Sequence, residues 1–250
     1  MASAIEHKDF IEFIMGRAFE IRRGAKEKRW GKMSKLFPKL GKSITMAAKE
    51  GGDDPEMNAK LRAAIATAKA ENMPKDNIDK AIARATAKDA VNYTEINYEG
   101  KGPHGVLLWV ECATDNNTRT FSNIRTTFNK NGGGLLPTGG LEFMFSRKAV
   151  VQFTTPDGFD IEEAELELID HGLEEIEAEG NEAIAFGDFT SFGSLSKAVE
   201  GLGVEITKAA PERIANSLVE FTEEQIGEID ILIEKLEDDE DVLNVFTNIG

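Results

Sequence analysis

Near Asp89 the spacing of apolar residues changes period, and that change constrains the fold more than any other feature of the chain. Before it, Met33, Leu36, Leu40, Ile44 and Ala47 recur three or four apart, as do Leu61, Ile65 and Ala68, and then Ile78, Ile82 and Ala85. This is the spacing of amphipathic helices. The pattern predicts one helix over Lys32 to Lys49, with a boundary near Phe37 because Pro38 interrupts the run. A second helix is expected over Glu56 to Glu71, after the turn Gly51-Gly52-Asp53-Asp54-Pro55, and a third after Asn72-Met73-Pro74. Upstream, Ala18 to Arg29 holds good helix formers, broken softly by Gly24. The first ninety residues therefore read as a small helical domain. Its core is rich in Ala and thin, the kind that stays mobile unless a partner steadies it.

Beyond Asp89 the signals are those of strands joined by helices. Tyr93 to Glu99 alternates, and Val106 to Ala113 is a short apolar run between the turn sequences GKGPHG and TDNN. Arg119 to Asn131 is expected to be helical and to stop at Gly132-Gly133-Gly134. Leu141 to Phe153 reads as a strand or a hairpin pair. A helix follows from the cap Asp160 to His171, with Glu163 placed as in a capping box and Gly172 as its terminal glycine. Strands at Glu174 to Ala178 and Glu182 to Phe186, a helix from Phe192 to Leu202 and a strand at Val204 to Lys208 complete a βαββαβ order, the split βαβ pattern. The flanking pieces suggest a second copy. It would use a strand at Ser217 to Phe221, a helix from Glu223 to Leu236 capped by Thr222 and Gln225, and a strand at Val242 to Thr247. The expected class is α+β: an N-terminal three-helix domain followed by two intertwined split-βαβ, ferredoxin-like domains. The boundaries read as an extension over 1–15, a basic helical domain over 16–90, one α/β domain from 91–134 plus 209–250, and an inserted α/β domain over 135–208. Residues 1–14 look like an appendage, because Met15-Gly16-Arg17 would serve as a start.

Charge is divided unevenly along this chain. Residues 1–89 carry 19 Lys and Arg against 13 Asp and Glu, and residues 90–250 carry 10 against 32, within a formal total of −16. Residues 16–49 alone hold eleven basic side chains against Glu20 and Glu27. Clustered cations beside a ring that can stack, Trp30, suit a phosphate backbone or an RNA surface. The plainer alternative is a solvated basic helix face. The candidate nucleic-acid contacts are Arg17, Arg22, Arg23, Lys26, Lys28, Arg29, Trp30, Lys32, Lys35, Lys39 and Lys42.

Little else points to chemistry. Cys112 is the only cysteine, which rules out an internal disulfide and a CxxC metal site and fits a reducing cytoplasm. His7, His104 and His171 lack ligand spacing. The loop GGGLLPTGG over 132–140 lacks the Gly-Lys-Ser/Thr of a phosphate loop and reads better as a flexible connection. Asp238 to Asp241 reads as a solvated acidic turn. In TDNNTRT, residues 114–120, a strand meets a helix N-terminus. Asp115, Asn116, Asn117 and Arg119 could there receive an anion, or equally could form an Asx-turn and helix cap. No apolar run is long enough to span a membrane. The sequence calls for no catalytic residue, no metal and no cofactor.

Four stretches carry a family resemblance: ENMPKDNIDKAI (71–82), YEGKGPHGVLLWVECATDNNTRT (98–120), FNKNGG (128–133) and LEFMFSRKAVV (141–151). Together they resemble the YebC/PmpR family, to which the mitochondrial translational activator of cytochrome c oxidase subunit I also belongs. The resemblance runs from about residue 16 onward. It implies three N-terminal helices followed by two intertwined α/β domains, and a non-enzymatic regulator of gene expression. Many members are labelled DNA-binding transcriptional regulators, and others act at the ribosome, relieving stalls on proline-rich stretches. The usual opening GHSKWANIKHRK is replaced here by GRAFEIRRGAKEKRWGK, so contacts made by its His and early Trp do not transfer, whereas the charge does.

Three functions are open at this point. The first is a translation factor that docks on rRNA or tRNA phosphates of the ribosome. The second is a regulator that binds promoter DNA through the same helices. The third is an adaptor that binds a protein partner at its acidic α/β domains. All three are compatible with a cytoplasmic protein that has no membrane partner.

Overall fold

The computed structural model describes residues 33–87, 91–156 and 158–250, with side chains from residue 36 onward. The helix expected over Ala18 to Arg29 and the segment 1–14 lie outside the described residues. The α+β class holds, and the chain divides into two compact units.

One unit joins residues 37–91 to residues 147–213. Its helices are α1 (Met33–Gly51), α2 (Ala59–Ala70) and α3 (Lys75–Thr86). Their shared core holds Ile44, Ala48, Leu61, Ala68, Met73, Ile78 and Ala81. Pro38 lies inside α1 and does not end it, contrary to the expected boundary near Phe37. Its missing N–H removes one helical hydrogen bond. The stripe that follows, Leu40, Ile44, Ala47 and Ala48, packs into the core and holds the helix across that gap. The second helix starts at Ala59 because Asn58 caps it, accepting from Leu61 N at 3.1 Å. The same buried amide donates to Ala47 O and to Gly52 O, each at 2.8 Å, and so locks the turn after α1. Thr45 Oγ1 sits 2.8 Å from Ala81 O and ties α1 to α3.

The rest of this unit is β4 (Phe145–Thr154, its first two residues in the other unit), α5 (Ile161–Ile169), β5 (Leu173–Glu179), β6 (Glu182–Asp188), α6 (Phe192–Gly201) and β7 (Glu205–Ala215, its last two residues in the other unit). The strand order β5-β6-β4-β7 is that of a split βαβ motif. Asp160 caps α5 through Glu162 N and Glu163 N, and Gly172 follows it at φ 90°, both as expected. Leu141 to Met144 form a turn, so the strand begins only at Phe145. β7 runs well past Lys208 and through Pro211. It is an edge strand, where an absent N–H can be tolerated. The thin helical core is steadied from within the unit. Ala63 of α2 joins the cluster of Leu168, Leu195 and Val199, Arg62 pairs with Glu200 at 3.2 Å, and Ala209 N donates to Thr67 Oγ1.

In the other unit, β1 (Thr94–Lys101), β2 (Leu107–Thr114), β3 (Gly134–Leu135) and β8 (Val242–Thr247) form a sheet of order β3-β1-β2-β8. Helices α4 (Asn117–Lys130) and α7 (Glu223–Glu237) bury Ile124, Phe128, Ile229, Leu232 and Leu236 against Val106, Leu108, Val110 and Cys112. Gly100 is required here, because a Cβ would lie 2.3 Å from the Phe128 ring. The capping box of Thr222 and Gln225 forms as expected. The strand expected at Ser217 to Phe221 does not. Only Val219 pairs, in an isolated parallel bridge to Ile249, and the outer edge of the sheet is completed by β3 instead.

Candidate nucleic-acid interface

Of the candidate contacts, Arg17, Arg22, Arg23, Lys26, Lys28, Arg29, Trp30 and Lys32 lie outside the described residues. Lys35, Lys39 and Lys42 stand on α1. At 100° per residue, positions 35, 39, 42 and 49 fall on one face, opposite the buried stripe of Leu40, Ile44 and Ala48. Lys39 and Lys42 are half-buried and Lys49 is exposed. The periodicity that makes the helix amphipathic thus also gathers its charge. Lys75, Lys80 and Arg84 of α3 are also basic and exposed. Lys80 and Arg84 fall on the side of the helix away from the stripe Ile78, Ile82, Ala85, and Lys75 is its first residue.

The TDNNTRT segment is a tightly tied helix start. Asn116 Oδ1 caps α4 by accepting from Arg119 N at 3.1 Å. Arg119 Nη2 donates to Asp241 Oδ2 at 2.7 Å and to Asp115 Oδ1 at 2.9 Å. The hydroxyls of Thr120 and Thr114 lie 2.8 and 3.1 Å from the same Asp241 oxygen. Its hydrogen bond and its charge raise the Arg119 pKa above the ordinary guanidinium value, with Asp115 adding to the effect. The side chains of Asp115, Asn116, Asn117 and Arg119 remain exposed around this anchor. Asp241 was missed: far from being solvated like the rest of its acidic turn, it is 5% exposed. Desolvation first, then the nearby Cys112 and Asp241, push the Tyr98 hydroxyl upward.

Nor is the glycine-rich loop a slack connection. Glu99, 3% exposed, accepts from Gly139 N at 2.7 Å and from Leu141 N at 2.5 Å. Backbone N–H groups of the kind that would cradle a phosphate are therefore turned inward onto a carboxylate of the chain itself. Leu136 N also donates to Glu99 O at 2.8 Å.

Comparison with known proteins agrees with this architecture over nearly the whole chain. A family model described as "TACO1/YebC protein N-terminal domain" matches residues 17–88, and one described as "TACO1/YebC second and third domain" matches residues 93–249. The chain belongs to the TACO1/YebC family. A probable transcriptional regulatory protein of Wolinella succinogenes is 64% identical over 237 residues, covering 94% of this chain and 100% of that protein. Another of that name from Sulfurovum sp. is 61% identical over 245 residues, with the same coverage. Among solved structures, a conserved hypothetical protein from Aquifex aeolicus superposes with a TM-score of 0.76 at 33% identity, over 89% of this chain and 92% of that one. Among the described residues, no helix is long and apolar enough to cross a membrane.

Proposed function

We propose that this TACO1/YebC-family protein is a non-enzymatic regulator of gene expression that attaches to nucleic acid through its basic helical domain, residues 16–90. We take the nucleic acid to be ribosomal RNA. The observation that carries this reading is the segregation of charge, eleven basic residues against two acidic over 16–49 in a chain of net −16. A segment of that kind is drawn to a polyanion while the acidic remainder is turned away, which orients the encounter. The relatives' names favour a second reading, a regulator that binds promoter DNA. Against it, residues 90–250 carry 22 more acidic than basic side chains and would be repelled by a second stretch of duplex. The work of such a factor is positional, and a cytoplasmic site of action follows from the choice of target.

Co-sedimentation with purified ribosomes over a salt series, with long duplex DNA as competitor, tests this directly. Salt-sensitive migration with ribosomes that excess DNA does not displace is the expected result. Retention on DNA without ribosome binding would establish the transcriptional reading instead. Reversing Arg22, Arg23, Lys26 and Arg29 to Glu should lower either affinity by at least about 100-fold at moderate salt, since each neutralised phosphate contributes to binding. Unchanged binding by that variant would move the interface elsewhere.

A further inference from the structure

The loop that Glu99 organises carries an unusual passenger. Phe143 is 90% exposed, the most exposed large apolar side chain among the described residues. A lone surface phenylalanine on a mobile loop would signify little, but this one is held in place from both sides. Leu141 and Phe145, its neighbours at two residues' distance, are buried at 3% and 2%. Its own carbonyl accepts from Asn216 Nδ2 at 2.9 Å, and Met144 O accepts from Asn216 N at 2.9 Å. Leu141 O accepts from Met144 N at 2.9 Å, and Leu141 N donates to the buried Glu99 carboxylate. The turn spends a buried charge on being rigid, and what that rigidity achieves is to keep an aromatic ring in water.

We propose that Phe143 is a preorganised anchor for a protein partner, one that offers an apolar pocket with a basic rim. Pre-set aromatic anchors of this kind dominate interfaces because little entropy is lost when they dock. The choice of a protein over RNA rests on charge. The two segments that build the sheet and helices around Phe143, residues 92–146 and 214–250, have five basic side chains against sixteen acidic. Glu142 adjoins the ring in sequence and is exposed. Stacking on single-stranded nucleic acid works where a positively charged groove carries the backbone past the ring. Here the surroundings repel phosphate and attract cationic side chains. The inference is independent of which nucleic acid the basic domain binds.

Photocrosslinking tests it. A p-benzoylphenylalanine is placed at position 143 of the full-length protein in living cells, and at position 121 as a control, where the native Phe121 is 45% exposed. The expected adduct at 143 resists nuclease, is absent at 121, and contains one identifiable protein. That protein, purified, should then bind the parent chain at least about 30-fold more tightly than Phe143→Ala, more weakly as salt rises. Phe143→Ala should melt with the parent, because the ring supports nothing. A nuclease-sensitive adduct, no adduct above the control, or equal binding by Phe143→Ala would each overturn the assignment.

Discussion

Each unit has four strands and two helices in an α/β layer, to which one adds the three N-terminal helices, and the two treat buried polarity differently. In the unit containing the three-helix domain, the buried polar side chains among the described residues are neutral: Thr45, Asn58 and Ser196. They join helices and close turns within an otherwise apolar core. The other unit buries two carboxylates, Glu99 and Asp241, together with Thr114, Thr120 and Asn248. A buried charge is costly unless donors surround it. Each of these acids is surrounded: Glu99 takes donors from Gly139 and Leu141 of the glycine-rich loop, and Asp241 from Arg119 and Thr120 in the first turn of α4. The first unit therefore reads as a platform, and the second as a frame that fixes the shape of a surface loop and a helix start.

The sharpest way to break this contrast is to remove a buried acid. Asp241→Ala removes the buried acceptor that Arg119, Thr114 and Thr120 share and should cost about 3 kcal/mol in a urea titration. A loss below about 1 kcal/mol would mean that the network is ornamental. Glu99→Gln keeps the shape but replaces one acceptor oxygen with a donor facing an N–H, and about 2 kcal/mol is expected. Its diagnostic sign is faster proteolysis around residues 136–146, with the helical unit unaffected. In the platform unit, Asn58→Ala loses a helix cap and two carbonyl partners, for about 1–2 kcal/mol by thermal melt. The loss should fall on the helices and leave the Glu99 loop intact. The smallest effect concerns pH. The Thr190 hydroxyl, then its backbone N–H, hold Asp188 below the usual carboxylate value. A depressed carboxylate stabilises the fold above its unfolded pKa of about 3.9, and that contribution fades as pH falls through the lower folded value. Asp188→Asn should therefore cost a little stability near neutrality, where that contribution is present, and flatten the fall in stability below about pH 4.

Periodicity and end-signals were legible in the sequence, and long-range pairing was not. The βαββαβ order, the caps at Asp160 and Thr222 and the strand at Val242–Thr247 are all local patterns, and they appear as read. Pro38 misled because it is tolerated by neighbours distant in sequence, and Pro211 inside β7 is tolerated in the same way. Pro38 is held by a helix stripe packed in a core, and Pro211 sits at a sheet edge visible only once strand order is known. Asp241 and Glu99 were unreadable because a carboxylate looks the same in sequence whether it meets water or a loop. In the candidate interface, the gathering of lysines on one face of α1 was implicit in the helical spacing.

The strand order also has a consequence for synthesis. β8 pairs with β2, Trp109 lying opposite Phe246 and Val110 opposite Val245, while α7 supplies Ile229, Leu232 and Leu236 to the same core. As the chain emerges from its N-terminus, the unit made of residues 37–91 and 147–213 has all its sequence available before the other unit receives α7 or β8. Until they arrive, β2 presents an open edge and Ile124 and Phe128 lack half their covering. Non-local closure of this kind is slow. The acidic unit is thus the last part of the newborn protein to mature, and its shaped loop and helix start come into being only when synthesis of the described chain is almost done.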